Sequence, residues 1–306
     1  GSGLQRTFHG RGLLLMQDGV PVNLTDGSFD FQTIEPLAAN HVEVLRGANA
    51  WRYGATNLGG AINFVSPTGK TAAPVSARYE GGSFGYHRLY GSAGQSLGDW
   101  DGFLSFSRSE QDGYREHAQQ ENQRIFANLG GRVTDTVSTR FYLTHVDTDS
   151  VLPGNITKAQ LRADPRQANA SAVAGDYQRD FILNRVGNIT MLSLNGGHSL
   201  ELSSFYSEKS LFHPIFQVLD VDTEDAGVRL THRWANDAGW RWSVGVEALE
   251  GRNSDERFVN MGGDRGQRVN ALGQSASSLN AFAELEVPVV ERWALIGGLA
   301  WLRHKR

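Results

Sequence analysis

Leu279-Asn280-Ala281-Phe282-Ala283-Glu284-Leu285-Glu286-Val287 changes side-chain character almost residue by residue. Leu279, Ala281, Ala283, Leu285 and Val287 fall on one face of an extended chain, and Asn280, Phe282, Glu284 and Glu286 on the other. That is the period-two signature of a strand with one apolar side. The pattern recurs in Val75, Ala77 and Tyr79 against Ser76, Arg78 and Glu80, and in Ala226, Val228 and Leu230 against Gly227, Arg229 and Thr231. The segments 103–109, 138–148 and 181–194 alternate poorly, and periodicity alone does not identify them as strands.

The connections between these segments carry more information. Short turns near Gly98-Asp99-Trp100, Thr134-Asp135-Thr136, Asn195-Gly196-Gly197, Asn236-Asp237-Ala238 and Val290-Glu291-Arg292 take turns with polar stretches near 110–120, 149–180, 209–224 and 251–275, which read as long loops. A meander with short turns at one end and long loops at the other is the asymmetry expected of a transmembrane β-barrel. Trp100, Trp240, Trp242 and Trp293 fall beside the short turns, where an aromatic girdle meets the lipid interface; ordinary core tryptophans are the alternative. Roughly eleven strands result (75–82, 86–96, 102–110, 121–133, 138–148, 181–194, 199–208, 225–235, 240–250, 276–288 and 293–303), each near the ~10 residues a tilted membrane strand needs. An odd count cannot close an antiparallel meander without one parallel seam, and open edges are not tolerated in hydrocarbon. Further strands are therefore expected beyond Arg306.

Composition excludes several classes. The 306 residues are 40% apolar, enough for a packed core, and the formal charge is −4. With a pI near 6.2, the overall charge gives no reason to expect nucleic acid, whose phosphates normally call for a basic surface. Cysteine is absent, which removes disulfides, thiolate metal sites and a cysteine nucleophile. The longest near-apolar run, Ala294 to Leu302, is broken by Gly297 and Gly298, far short of the roughly 18 residues of a membrane-spanning helix. The mean hydropathy of −0.37 suits a barrel whose strands alternate lipid-facing and lumen-facing residues. The 9 histidines are scattered, with no pair at the close spacing of a zinc helix. Neither a nucleophile elbow nor a phosphate-binding glycine loop appears. The sequence thus offers no catalytic residue, no metal site and no cofactor site, and an enzyme is the least supported class.

Ser66-Pro67-Thr68-Gly69-Lys70-Thr71-Ala72-Ala73-Pro74 reads as a linker of turn formers, placing a first domain at 1–70 and a strand-rich one at 75–306. In the first domain short apolar runs are punctuated by Asp18-Gly19, Asp26-Gly27, Arg46-Gly47 and Gly59-Gly60, as in a small α/β unit with tight turns. Leu14-Leu15-Met16-Gln17-Asp18-Gly19-Val20-Pro21, then Val42-Glu43-Val44-Leu45-Arg46-Gly47, Tyr53-Gly54 and Gly59-Gly60-Ala61-Ile62-Asn63, resembles the plug of TonB-dependent receptors. Those receptors hold a plug inside a 22-stranded barrel. The resemblance covers 1–65 by motif and the rest by architecture. It implies a mainly β protein of the bacterial outer membrane: a small α/β plug remnant followed by about half of a transmembrane barrel, with the N-terminal part of the plug, signal peptide and energy-coupling box lying outside this chain.

The resemblance also implies partners and a site. The partners are a metal chelate, foremost a ferric siderophore, outer-membrane lipid, and the periplasmic energy-transducing protein TonB with its inner-membrane complex. Ligand contact is expected at plug apices, from Arg6, Phe8, His9 and Arg11 and from Asn23, Asp26 and Phe29. Arginines suit an anionic ligand because guanidinium pairs with carboxylate oxygens in a fork; bonding of Arg6 and Arg11 to the plug's own carbonyls is the alternative. Glu43 and Arg46 sit in the segment that ties plug to barrel wall in the family, against which stands a simple salt bridge within the plug. Arg162, Arg166, Tyr177, Arg179, Arg257 and Arg265, with Arg252 and Arg268, are loop residues that could close over the ligand or merely be solvated. The competing function is a porin-like or adhesive surface β-protein without energy coupling; cobalamin, another metal complex or a saccharide remains open as ligand.

Overall fold

The structure is a computed structural model that describes residues 8–10, 12–47, 53 and 59–306. Two small sheets come first. Strands β1 (Phe8–Gly10) and β4 (Phe29–Asp30) pair antiparallel. A second sheet of order β3-β2-β6-β5 is formed by β2 (Leu14–Gln17), β3 (Val20–Pro21), β5 (His41–Arg46) and β6 (Gly60–Val65). The Asp18-Gly19 turn joins β2 to β3 with φ of 54° and 80°, the left-handed pair that a two-residue hairpin requires. Strand β2 is buried on both faces: Leu15 packs with Val22, Phe29 and Ile34 on one side, and Leu14 and Met16 with Ala61 on the other. A strand covered twice reads as a continuous apolar run, as Leu13 to Met16 does.

The last strand of this unit ends at Val65, and the wall begins at Val75. Eleven strands follow: β7 (Val75–Gly81), β8 (His87–Leu97), β9 (Trp100–Gln111), β10 (Gln120–Arg132), β11 (Val137–Ser150), β12 (Asp180–Ser193), β13 (His198–Pro214), β14 (Gln217–Ala235), β15 (Arg241–Met261), β16 (Asp264–Val290) and β17 (Trp293–Lys305). They form one antiparallel sheet in chain order, and among the described residues β7 and β17 are its open edges. The faces are inverted relative to a water-soluble sheet. Leu279 is 39% exposed while Asn280 is 1% exposed; Leu230 is 44% exposed while Thr231 is 1%. Outward lie Leu104, Phe106, Phe141, Leu143, Val228 and Val246; inward lie Ser105, Ser107, Asn128, Thr144 and Thr223. Apolar outside and polar inside is the transmembrane-barrel arrangement. Trp100, Trp240 and Trp293 are exposed beside the short turns, and Trp242 packs edge-on against His232 at 4.7 Å between centroids. Among the described residues no helix is long and apolar enough to cross a membrane.

Two expected loops are not loops. The spans 209–224 and 251–275 are mostly strand: β13 and β14 continue to a turn at 215–216, and β15 and β16 to Gly262-Gly263, with φ of 71° and 100°. The alternation that marks a strand is broken in both: 209–224 carries the adjacent apolar pairs Leu211-Phe212 and Val218-Leu219, with Pro214 and Val218 buried, and 251–275 is mostly polar. The polar stretches near 110–120 and 149–180 do contain loops, the second with two short helices, Lys158–Ala163 and Ala170–Ala174.

Candidate functional site

The loop after β3 faces a cavity of about 680 Å³ against the inner surface of β12–β16. Asn23 shapes this loop: its Oδ1 accepts the Leu15 N–H at 2.7 Å, and its Nδ2 donates to the Leu13 and Gly27 carbonyls at 2.9 and 3.1 Å. Asp26 accepts the Ser28 N–H at 2.8 Å, and Asp30 caps the 3-10 turn Phe31–Thr33 by accepting the Gln32 N–H at 3.0 Å. Phe29 is 3% exposed and meets Phe31 edge-to-face at 5.0 Å. The cavity is lined by Val22, Leu24, Thr25, Asp26 and Asp30 on the plug side and by Arg179, Leu183, Lys209, Leu211, Val221, Asp225 and Asp255 on the wall. A concave, largely apolar space with a few convergent charges is the usual form of a ligand site.

Plug and wall are tied by charge. Asp30 Oδ2 accepts from Arg179 at 2.7 Å and from Lys209 at 3.5 Å. Gln32 Oε1 accepts from Arg179 at 3.0 Å, and the Gln32 carbonyl from Arg124 at 2.8 Å. Glu35 pairs with Arg88 and lies 3.9 Å from Arg124. Arg185 donates to Gln17 Oε1 at 2.7 Å, and Asp225 accepts the Thr25 N–H at 2.7 Å. In these ion pairs the plug supplies the acids and the inward wall supplies the guanidiniums and the ammonium. Within the plug, burial pushes the Asp18 carboxyl above its ordinary range, against the lowering pull of bonds from the Ser66 N–H and hydroxyl.

The expected residues divide. Arg6 and Arg11 lie outside the described residues, as do Gly54 and the side chains of Phe8 and His9. Asp26 and Phe29 line the cavity, whereas both groups of Asn23 are taken up in holding the loop. Glu43 and Arg46 are exposed on β5, the outer strand of the plug sheet. Glu43 accepts from Asn63 at 2.9 Å, inside the plug. It also borders a second cavity of about 440 Å³, shared with Arg140, Glu201, Arg229 and Arg233 of the wall. Of the loop candidates Arg179 reaches the first cavity, with Arg252 at its border. Arg257 pairs with Asp255 at 2.8 Å and Arg268 with Glu256 at 2.8 Å. Arg265 pairs with Asp220 and stacks over Phe212 at 4.6 Å. Arg162 and Arg166 are exposed, Arg166 lying 6.0 Å over Tyr114, and the half-buried Tyr177 joins the loop through its carbonyl, which accepts the Leu152 N–H at 2.7 Å. Sequence reasoning missed Arg88, Arg124, Arg185 and Lys209. For Arg88 and Arg124 the available signal was their place on one face of a strand already expected; Arg185 lies in a segment that alternates poorly, and Lys209 in a stretch read as a loop.

Residues 2–61 match the family described as TonB-dependent Receptor Plug Domain. The chain is 29% identical to the Vitamin B12 transporter BtuB of Photobacterium profundum over 183 residues, 56% of this chain and 30% of that protein. It is 23% identical to the Rhizobactin receptor of Rhizobium meliloti, covering 97% of this chain and 46% of that one. Among solved structures it superposes on the ferric citrate transporter FecA in its unliganded form with a TM-score of 0.76 at 14% identity, covering 96% of this chain and 47% of the other. The Copper transporter OprC superposes with a TM-score of 0.76 at 15% identity, covering 95% and 46%. The chain spans less than half the length of the curated relatives it matches.

Proposed function

We propose, from the premise that this chain is a plug-and-barrel segment of a TonB-dependent receptor, that the whole protein resides in the bacterial outer membrane and takes up a scarce ligand at the expense of energy delivered by TonB. The ligand in this reading is a ferric siderophore or another iron chelate. The observation that carries it is the cavity of about 680 Å³ between the plug loop and the wall, bordered on the plug side by Asp30, which the wall holds through ion pairs to Arg179 and Lys209. Ligand seated there touches the movable plug and the fixed wall at once. Buried pairs of this kind fix geometry more than they stabilise, which suits a plug that must stay shut until pulled. No covalent step is required.

The test is made on the full-length protein in outer membranes. Titration with ferric chelates and with vitamin B12 identifies the ligand class, and uptake is followed in cells with and without TonB. Tight chelate binding and TonB-dependent uptake are expected. Uptake that persists without TonB would favour a porin-like protein, and tight binding of vitamin B12 alone would replace iron with cobalamin.

A further inference from the structure

Lys209 stands out in the cavity wall. Its side chain is 11% exposed, yet among the described residues its single hydrogen bond is the long one to Asp30 Oδ2, at 3.5 Å. That oxygen already receives Arg179 at 2.7 Å, and the other carboxylate oxygen caps Gln32. One carboxylate therefore faces two cations, and both cations sit over the Phe181 ring, Lys209 at 4.3 Å and Arg179 at 5.2 Å. The other acids at the cavity are engaged elsewhere: Asp225 with the Thr25 N–H, Asp255 with Arg257 and Asp26 with Ser28. Leu183, Leu211 and Val221 supply the apolar surface around it.

An ammonium carries three donors and no acceptor, and a cation taken out of water without a full partner is held at a cost. A ligand that brings a negative oxygen to Nζ recovers that cost in a low-dielectric setting. We infer that Lys209 is the anion-receiving group of this cavity, and that it selects a chelate with a net negative, oxygen-bearing face over an electroneutral complex. The inference rests on the uptake reading above and deepens it. The apolar wall accepts the body of the ligand, and Arg179 keeps Asp30 neutralised when Lys209 turns to the ligand.

The test uses the full-length receptor, with Lys209→Met and Lys209→Arg. The probes are an anionic ferric polycarboxylate complex, a net-neutral ferric trihydroxamate and vitamin B12. Lys209→Met should weaken the anionic complex about tenfold or more, the scale of one lost charge-assisted contact, and leave the neutral probes unchanged. Lys209→Arg should keep most of the affinity. The melting temperature of the ligand-free Lys209→Met protein should hold or rise, because Asp30 and Arg179 remain a balanced pair. Unchanged anionic affinity in Lys209→Met, an equal loss for neutral probes, or a lowered melting temperature with intact binding would overturn the inference while leaving the uptake reading standing. Failure of the unaltered receptor to bind any of the probes would remove both.

Discussion

Arg140 holds both carboxylate oxygens of Asp101 through Nη2, at 2.9 and 2.8 Å. Asp101 Oδ1 also accepts the backbone N–H of Gly69 at 2.9 Å. Asn128 reinforces the same place by donating to the Pro67 carbonyl at 2.9 Å, and its own oxygen accepts from Arg140 at 2.6 Å. The segment between the plug and β7 is thus fastened to the inner face of β9–β11, although its composition is that of a flexible linker.

Gly69 is the tightest point of that fastening. A Cβ there would lie 2.0 Å from the Gln95 carbonyl oxygen and 2.6 Å from that of Gly102, both backbone atoms that cannot step aside. Gly69→Ala should lower the unfolding free energy by about 1–3 kcal/mol, the usual cost of overpacking. Gly273→Ala, where a Cβ meets nothing within 4 Å, should stay within about 0.5 kcal/mol. Denaturant unfolding of the two variants side by side checks this, and equal stabilities would refute it.

Glu35 sets up a second comparison. Its side chain is 4% exposed and faces Arg88 and Arg124, themselves 16% and 13% exposed. Glu35→Leu removes the acid that two part-buried guanidiniums share and should cost about 3–5 kcal/mol, as expected when one partner of a buried pair is removed. Adding Arg88→Met should recover part of the loss, since replacing both members by apolar groups is far less damaging than replacing one. Thermal unfolding in detergent of the single and double variants decides between this and simple additivity.

Arg115 ties two of the long loops together. Its guanidinium donates to the carbonyls of Gly154 at 2.7 Å, Gln167 at 2.9 and 3.1 Å, and Pro153 at 3.2 Å. One planar fork thereby joins the 112–119 loop to the 151–179 loop. Arg115→Ala should raise amide exchange within 151–179 by about tenfold or more, the effect of losing a charged hydrogen-bond donor worth about 1.5–3 kcal/mol. Arg115→Lys should not restore protection, because an ammonium cannot reproduce the fork. Exchange rates unchanged in both variants would show that the loops hold their shape without it.

These contacts mark where the sequence was readable. Leu279 to Val287 displayed its two faces openly, and Asp18-Gly19 announced a tight turn, which the structure makes the turn of a hairpin. The extended hairpins around 215–216 and 262–263 were hidden because neither alternates: the first sets apolar residues side by side, as in Leu211-Phe212 and Val218-Leu219, and the second is mostly polar. The plug-to-wall pairs were hidden for another reason. Asp30 and Arg179 are 149 positions apart, and no local pattern specifies which inward arginine meets which plug acid. Strand parity could have flagged Arg88 and Arg124 as inward charges, though not Arg185 in its poorly alternating segment, and the partners of all three follow only from how the wall lies around the plug. Lys209 was lost with the mistaken loop at 209–224.

The inverted wall makes the membrane reading testable with one pair of neighbours. Leu230 and Thr231 are adjacent on β14, the first 44% exposed and the second 1%. If the outer face meets hydrocarbon, Leu230→Arg places a charge near the middle of the bilayer and should destabilise the folded receptor by about 2–4 kcal/mol, the range for a basic residue at that depth on a barrel. In a water-soluble sheet the same change at an exposed position would be nearly neutral, within about 0.5 kcal/mol. Thr231→Ala, on the lumen side, should be mild in either setting because it removes a hydroxyl without adding a charge. Unfolding of the full-length protein in lipid bilayers separates the two readings, and a neutral Leu230→Arg would remove the outer face of β14 from the membrane.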